Sequence, residues 1–470
     1  MEERNSCLFL LLIYFALAIY LLPTFSQTST ELTNWATAAS LVEKNSFDIS
    51  WTKDLIGENT EIVKIGEKSY SNKPPGISVL AAPFYAMTRI FIGEPNAENL
   101  RTSLFIMRFL VSTLPLFFLA VWLFQQETDA LSLAVLLFAT PLFVFSFFLL
   151  PDILAAVLIY LVFRLLYDAR RISLRNNLWA GMLSGFVLIC AFSAAIPILI
   201  FGFGLFFTER RDRYRRLLFF GLGILPFIVL LLIYNYLVFD SLFGNFLRAE
   251  IGFPTLLNLY RILFSPLQGL FFYAPILLFS IVAFFTSREH ETLRKRVKIA
   301  TILFSILILA CFPANSVRTF GAQSLIFIVP LMLDSFFDGE IEEFPSLWRG
   351  FLFAVSFLLC TIPALTFSFA PPESGFPHNN FWRYLIFNQE FFTPTLLNLF
   401  NAPNNFWTIL PAILLLLSAI YLVWRNAKNP LKFLIGILAA FFAVGIYLFV
   451  PGLDNSETQN IRQQIVNQNR

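Results

Sequence analysis

Charge is what this sequence has least of. Only 13% of its 470 residues are Asp, Glu, Lys or Arg, against roughly 25% in a soluble domain. Hydrophobic residues make up 57% of the chain and the mean hydropathy is +0.72. So much apolar surface cannot be hidden from water, which makes a polytopic membrane protein the reading. The net charge of +3 is too small to imply nucleic acid as a partner. Histidine is scarce: His290 and His378 fall on opposite sides of the membrane in the topology below and cannot share a metal. The four cysteines, Cys7, Cys190, Cys311 and Cys360, lie in or at the edge of apolar spans. They read as packing residues, with neither a disulfide framework nor metal-ligand spacing. There is no phosphate-binding glycine loop, no nucleophile elbow and no internal repeat. What is abundant is Phe, at 59 residues, which suits lipid-facing and packed surfaces alike and says nothing about chemistry.

Hydropathy gives about thirteen spans, the last at 431–450. The first apolar stretch, Cys7 to Phe25, reads as a retained helix rather than a signal peptide, because so many spans follow it. The apolar run 178–207 is long for one span and short for two. Its flanks, "RLLYDARRISLRNN" and "TERRDRYRR", are both strongly basic, and short basic loops stay in the cytoplasm. Two cytoplasmic flanks require an even number of crossings, so the run reads as a tight hairpin bent near Cys190–Ser193. "SREHETLRKRVK" and "WRNAKNPLK" are cytoplasmic by the same rule. Segments 26–101, 239–266, 314–322 and 370–405 then lie outside. Two inner loops, "QQETD" and "DSFFDGEIEEFPS", are acidic and run against the rule. The expected fold is an all-α polytopic bundle in one domain over 1–450, followed by a polar tail, 451–470.

The longest stretch between spans is 26–101. In "STELTNWATAASLVEKN", Leu32, Trp35, Ala36, Ala39 and Val42 recur at helical spacing. Ile77, Leu80, Ala81, Phe84, Thr88 and Phe91 repeat the pattern, with a kink expected at Pro83. Two amphipathic helices on the outer membrane surface are therefore expected. Between them, "KPPG" is stiff: Pro74 holds Lys73 extended, and Gly76 can open the second helix. A lysine fixed beside a helix N-terminus suits an anion.

The order of these features resembles the GT-C superfamily of membrane glycosyltransferases, most closely the bacterial relatives of protein O-mannosyltransferases and of the lipid A aminoarabinose transferase. The likeness runs through "YSNKPPGISVLAAPFY", "ATPLFVFSFFLLPDILAAVLIYL", "LLIYNYLVFDSLFGNF", "LFSPLQGLFFYAPIL" and "SVRTFGAQSLIFIVPLML". With the first span and the acidic residue that opens the amphipathic helix after it, these cover roughly residues 5 to 335 in order. The chain departs from the family pattern at Gln268 and Gln323, where many relatives carry Arg, and nothing after 340 matches.

The resemblance implies a sugar donor linked to a polyprenyl phosphate, and an acceptor that is a lipid, a glycan or a protein. It implies an active site on the outer face of the bacterial cytoplasmic membrane. Glu31 occupies the position of the catalytic acid, although Thr28-x-x-Glu31 also spells a helix capping box. Lys73 matches the family's donor-phosphate lysine, and Arg318 is a second candidate for the phosphate. Asp152, at the start of a span, is the candidate second acid; in related enzymes acids in this loop help bind a divalent metal, the one cofactor left open. Asp48 and Asp54 compete more weakly for the acid's role. Two other functions fit a chain of this class: an O-antigen ligase or polymerase, and a flippase or other transporter of lipid-linked sugar. The first usually places its large loop late. The second usually shows inverted repeats and polar residues in mid-membrane. Here the large loop comes early and the polar features gather between spans.

Overall fold

The computed structural model describes residues 2–22, 28–57, 61–168, 173–208, 212–242, 252–266, 268–286, 292–312, 323–366, 378–388, 392–400 and 403–449. These residues are almost wholly helical. Six helices are long and apolar enough to cross a membrane: Glu2–Leu21, Ala97–Gln125, Arg213–Phe239, Ser346–Leu365, Phe406–Arg425 and Pro430–Phe449. The protein is an all-α membrane protein. The other apolar stretches form shorter or interrupted helices. The stretch 129–149, for example, is a helix only over Ala130–Phe138, and resumes for one turn at Leu142–Phe145 after Pro141. A proline there removes a backbone donor and crowds the preceding turn. The run 178–207 also breaks: one helix ends at Cys190 and the next begins at Ala195. Its two limbs differ in their main partners. Leu174–Cys190 lies along Pro151–Tyr167 and Arg213–Phe239, while Ala195–Leu205 lies on Thr292–Leu309.

Two polar ties align the centre of the bundle. Pro151–Tyr167 runs beside the segment Gln323–Phe337, and the two are parallel. At one end Gln323 Nε2 donates to Asp152 Oδ2 at 3.0 Å. At the other, Tyr160 Oη and Arg164 Nη1 donate to Asp334 Oδ1 at 3.0 and 3.3 Å. Gln323–Ile328 is a 3-10 helix, with Val329–Met332 and Asp334–Phe337 continuing it. The longer rise of a 3-10 helix lets so short a segment reach about 25 Å. That matches the length of the helix beside it.

The Arg164 end is rich in charge. Arg294 Nη2 and Lys298 Nζ reach Asp334 Oδ2 at 2.7 and 3.0 Å, and Arg294 also reaches Asp338. The acidic stretch "DSFFDGEIEEFPS", which sits poorly with the positive-inside rule, thus begins with two carboxylates neutralised by cations from neighbouring helices. Buried carboxylates need such partners.

Glycines close two helix pairs. A Cβ at Gly181 would run into the Phe220 carbonyl, and one at Gly223 into the Leu178 carbonyl. Gly350 and Gly436 meet the Phe433 and Leu347 carbonyls in the same way, joining Ser346–Leu365 to Pro430–Phe449. Lipid tails offer no hydrophobic drive for helix association, so close backbone approach at small residues supplies the packing instead.

Segment 28–108 makes a small layer of its own at the Asp152 end. The helix Ser29–Lys44 is buried around most of its circumference, not only along one stripe; Glu31 and Thr33 through Ser40 are all inaccessible. Trp35 donates through its ring nitrogen to Ser103 Oγ at 2.7 Å and meets Tyr85 edge to face. The second helix, Gly76–Ile92, starts at the glycine of "KPPG". A Cβ at Gly76 would strike the Ile189 carbonyl at 2.5 Å and Cys190 Sγ at 2.7 Å. The stiff segment therefore docks a helix start against the break at Cys190. Between the two helices stands an antiparallel hairpin, Ile62–Ile65 with Lys68–Ser71.

Candidate functional site

The expected capping box forms. Glu31 N–H donates to Thr28 Oγ1 at 3.1 Å, and Thr28 N–H donates to Glu31 Oε2 at 3.2 Å. The Glu31 carboxylate then takes three more donors. Arg108 grips it with Nε on Oε1 at 2.8 Å and Nη2 on Oε2 at 2.9 Å. The Leu149 N–H donates to Oε1. A carboxylate has about four acceptor positions, and these contacts occupy them. Both partners of the ion pair are inaccessible to solvent. One turn along, Asn34 Nδ2 donates to the Leu149 carbonyl at 3.1 Å. Glu31 and Asn34 thus hold both polar groups of the Leu149 backbone, immediately before the helix that opens with Pro151 and Asp152.

The local chain explains Arg108. Ala97–Arg108 is followed by a π-helical turn, Phe109–Thr113, inside the span. Such a bulge re-aims the preceding side chains and often marks a functional site. Here Arg108 lies over the Phe148 ring, 5.8 Å from its centroid. Arg108 is a residue that reading the sequence as spans passes over as an end-of-helix charge. The signal was a cation inside an apolar stretch, where a partner is required.

A second polar group lies beside this clamp. Asp152 is partly exposed, bonded to Gln323 and within electrostatic reach of Lys73. Lys73 Nζ also pairs with Glu61 Oε2 at 3.0 Å, on the hairpin side of the site. The fold therefore gathers Lys73, Asp152 and Gln323 from three distant stretches of chain. Gln323, one of the two departures from the family pattern, provides the direct partner of Asp152. Gln268 is partly buried. Arg318 lies outside the described residues.

Asp48 and Asp54 play other parts. Asp48 Oδ1 accepts from Ser50 N–H at 3.0 Å and from Ser69 N–H at 3.2 Å, tying the first turn after the helix to the hairpin. Burial alone would push its carboxyl up; hydrogen bonds from Ser50 and Ser69, with Lys68 nearby, outweigh this and hold it below the usual carboxylate range. Asp54 is exposed. Among the described residues, no three His, Cys, Asp or Glu side chains converge as a metal site would require.

The fold and these polar sites define an integral membrane protein with a paired layer of helices and one hairpin over one end of its bundle. No family model, curated protein or solved structure matches the chain.

Proposed function

We propose that this protein is a membrane glycosyltransferase of the GT-C kind. It moves a sugar from a polyprenyl-phosphate donor to a lipid, glycan or protein acceptor on the outer face of a bacterial cytoplasmic membrane. The observation that carries the reading is the gathering of Lys73, Asp152 and Gln323 at the end of the bundle where segment 28–108 packs. A lipid-borne sugar phosphate needs its chemistry at such a boundary, with its tail among helices and its head group above them.

In this reading Asp152 is the base. It takes the proton of the acceptor hydroxyl as that oxygen bonds to the anomeric carbon. The bond from that carbon to the phosphate oxygen breaks, and the lipid phosphate leaves with the electron pair. Lys73 stabilises the charge that develops there. Gln323 orients Asp152. Glu31 has its acceptor positions filled and serves as a positioning residue: with Arg108 and Asn34 it fixes the Leu149 backbone that leads into Asp152. The full topology of about thirteen spans, with 26–101 outside, belongs to the same reading.

The test is sugar transfer by the purified full-length protein in liposomes containing labelled polyprenyl-phosphate sugars. Asp152→Asn should lower the rate about a hundredfold or more. Lys73→Ala should weaken donor use roughly tenfold to a hundredfold, as expected for a lost charge-assisted contact. Full transfer by a folded Asp152→Asn protein would remove Asp152 from the role. Movement of the donor across the bilayer with no transfer would replace the enzyme by a transporter.

A further inference from the structure

Two ion pairs stand at the Asp152 end, and they differ in kind. Arg108 and Glu31 are closed off from water, with 2% and 0% of their side chains exposed. Lys73 and Glu61, 3.0 Å apart, keep 37% and 21% exposed. A buried pair cannot give up one partner without stranding the other's charge. A half-exposed pair is weak, because water and salt screen it and two long side chains must be ordered to make it. The first is a fixture of the fold, and the second can be exchanged.

The backbone keeps that exchange local. The hairpin register sets Ile62 opposite Ser71, and the Asn72 N–H donates to the Glu61 carbonyl at 2.8 Å. Glu61 therefore stands across from Asn72, one residue before Lys73. The Lys73 N–H donates to Ser71 Oγ at 3.1 Å, and Pro74 keeps the lysine backbone extended. What can move is the four-carbon stem. Its ammonium rests on Glu61, while Asp152 lies within reach of its charge.

We infer that Glu61 is an internal stand-in for the lipid phosphate, competing with it for Lys73. This rests on the reading of Lys73 as the donor-phosphate residue. With no lipid bound, the Glu61 carboxylate holds the ammonium. A polyprenyl-phosphate sugar is a phosphodiester and brings one negative charge, which displaces the carboxylate. Transfer turns that phosphodiester into a monoester, and a phosphomonoester carries about −1.5 to −2 at pH 7. The spent lipid therefore grips Lys73 harder than the donor did. Glu61 opposes this in two ways: it repels the added charge, and it offers the ammonium a partner to return to. Its role is to favour release of the polyprenyl phosphate.

The experiment is binding of undecaprenyl phosphate by the full-length protein in nanodiscs at low salt, with undecaprenol as the uncharged control. Glu61→Gln keeps the size of the side chain and the backbone contact to Asn72. It should tighten undecaprenyl phosphate about threefold to tenfold and leave undecaprenol unchanged. Glu67→Gln removes the same charge from an exposed position on the same hairpin and should change neither. In a Lys73→Ala background the gain from Glu61→Gln should disappear. In the transfer assay Glu61→Gln should lower the donor KM and make added undecaprenyl phosphate a stronger inhibitor, a pair of changes that a merely structural role would not produce. Unchanged or weaker binding of undecaprenyl phosphate by a folded Glu61→Gln protein would overturn the inference. So would an equal gain in Glu67→Gln or in the absence of Lys73, since either would reduce the effect to the overall charge of the hairpin. Binding needs no transfer. A wild-type protein that transfers nothing would remove the enzymatic reading and leave these binding results to decide the competition; wild-type transfer with unaltered binding in Glu61→Gln would remove the competition alone.

Discussion

Arg108 holds Glu31 through two parallel hydrogen bonds of 2.8 and 2.9 Å, with both side chains closed off from solvent. The pair joins the π-turn of a membrane-crossing helix to the first turn of the helix after the first span. Through the Leu149 N–H it also fixes the approach to Asp152. A buried pair of this kind is a poor source of net stability, because desolvation offsets much of the attraction. Losing one partner is a different matter, since the other is then left charged and alone.

That asymmetry gives the first prediction. Arg108→Leu should destabilise the protein by about 3–5 kcal/mol, and Glu31→Gln should also destabilise it, by less because the amide still accepts hydrogen bonds. Replacing both residues together, as Glu31→Leu with Arg108→Met, should recover much of the loss. Thermal unfolding of the three variants in detergent checks this. Equal stability of Arg108→Leu and the wild-type protein would show that the pair does not hold the fold as drawn.

The glycine contacts make a second, independent prediction. Gly436 and Gly445 stand on the same helix, Pro430–Phe449, but only Gly436 is pressed against a neighbour. Gly436→Ala should force the Leu347 and Phe351 backbone away and cost about 1–3 kcal/mol. Gly445→Ala meets nothing, and should be neutral or stabilise by up to about 1 kcal/mol through helix propensity. A pair of melting curves decides it, and equal losses at the two positions would contradict the register of this helix pair.

Much of this architecture was legible in the sequence. Composition gave the membrane, and helical spacing gave the helices at Ser29–Lys44 and Gly76–Ile92. Thr28-x-x-Glu31 gave the capping box, and the basic flanks gave a break close to Cys190. Other features were not legible, for physical reasons. Local hydropathy cannot show that Arg108 and Glu31 meet, because 77 residues separate them and only the folded bundle brings them together. The hairpin at 62–71 is short and mostly polar, and its register depends on Asp48 and Ser50 rather than on an alternating apolar face. The segment Gln323–Phe337 reads as one apolar span, yet its first turns are 3-10. Gln323 looked like a departure from a pattern until its amide was seen on Asp152.

The third prediction concerns the two ends of the bundle. Asp152 and Arg164 lie on one helix, twelve positions or about 18 Å apart. Gln323 meets the first, while Asp334 meets the second. The site at Asp152 and the charge cluster at Asp334 should therefore face opposite sides of the membrane. Asp338 is the accessible member of that cluster, with 32% of its side chain exposed, and Lys64 is exposed on the hairpin near the other end. Cysteines introduced as Asp338→Cys and Lys64→Cys, in a background lacking the four natural thiols, can be probed with a maleimide that does not cross membranes. In spheroplasts Lys64→Cys should be labelled and Asp338→Cys protected; in inverted vesicles the pattern should reverse. Because Asp338→Cys gives up only the Asp338 contacts with Arg164 and Arg294, and Asp334 still holds Arg164, Arg294 and Lys298, the probe should not unfold the cluster it reports on. Labelling of both cysteines from the same side would break the argument at its base: Lys73 and Asp152 could not then share an outer surface while the basic loops share an inner one.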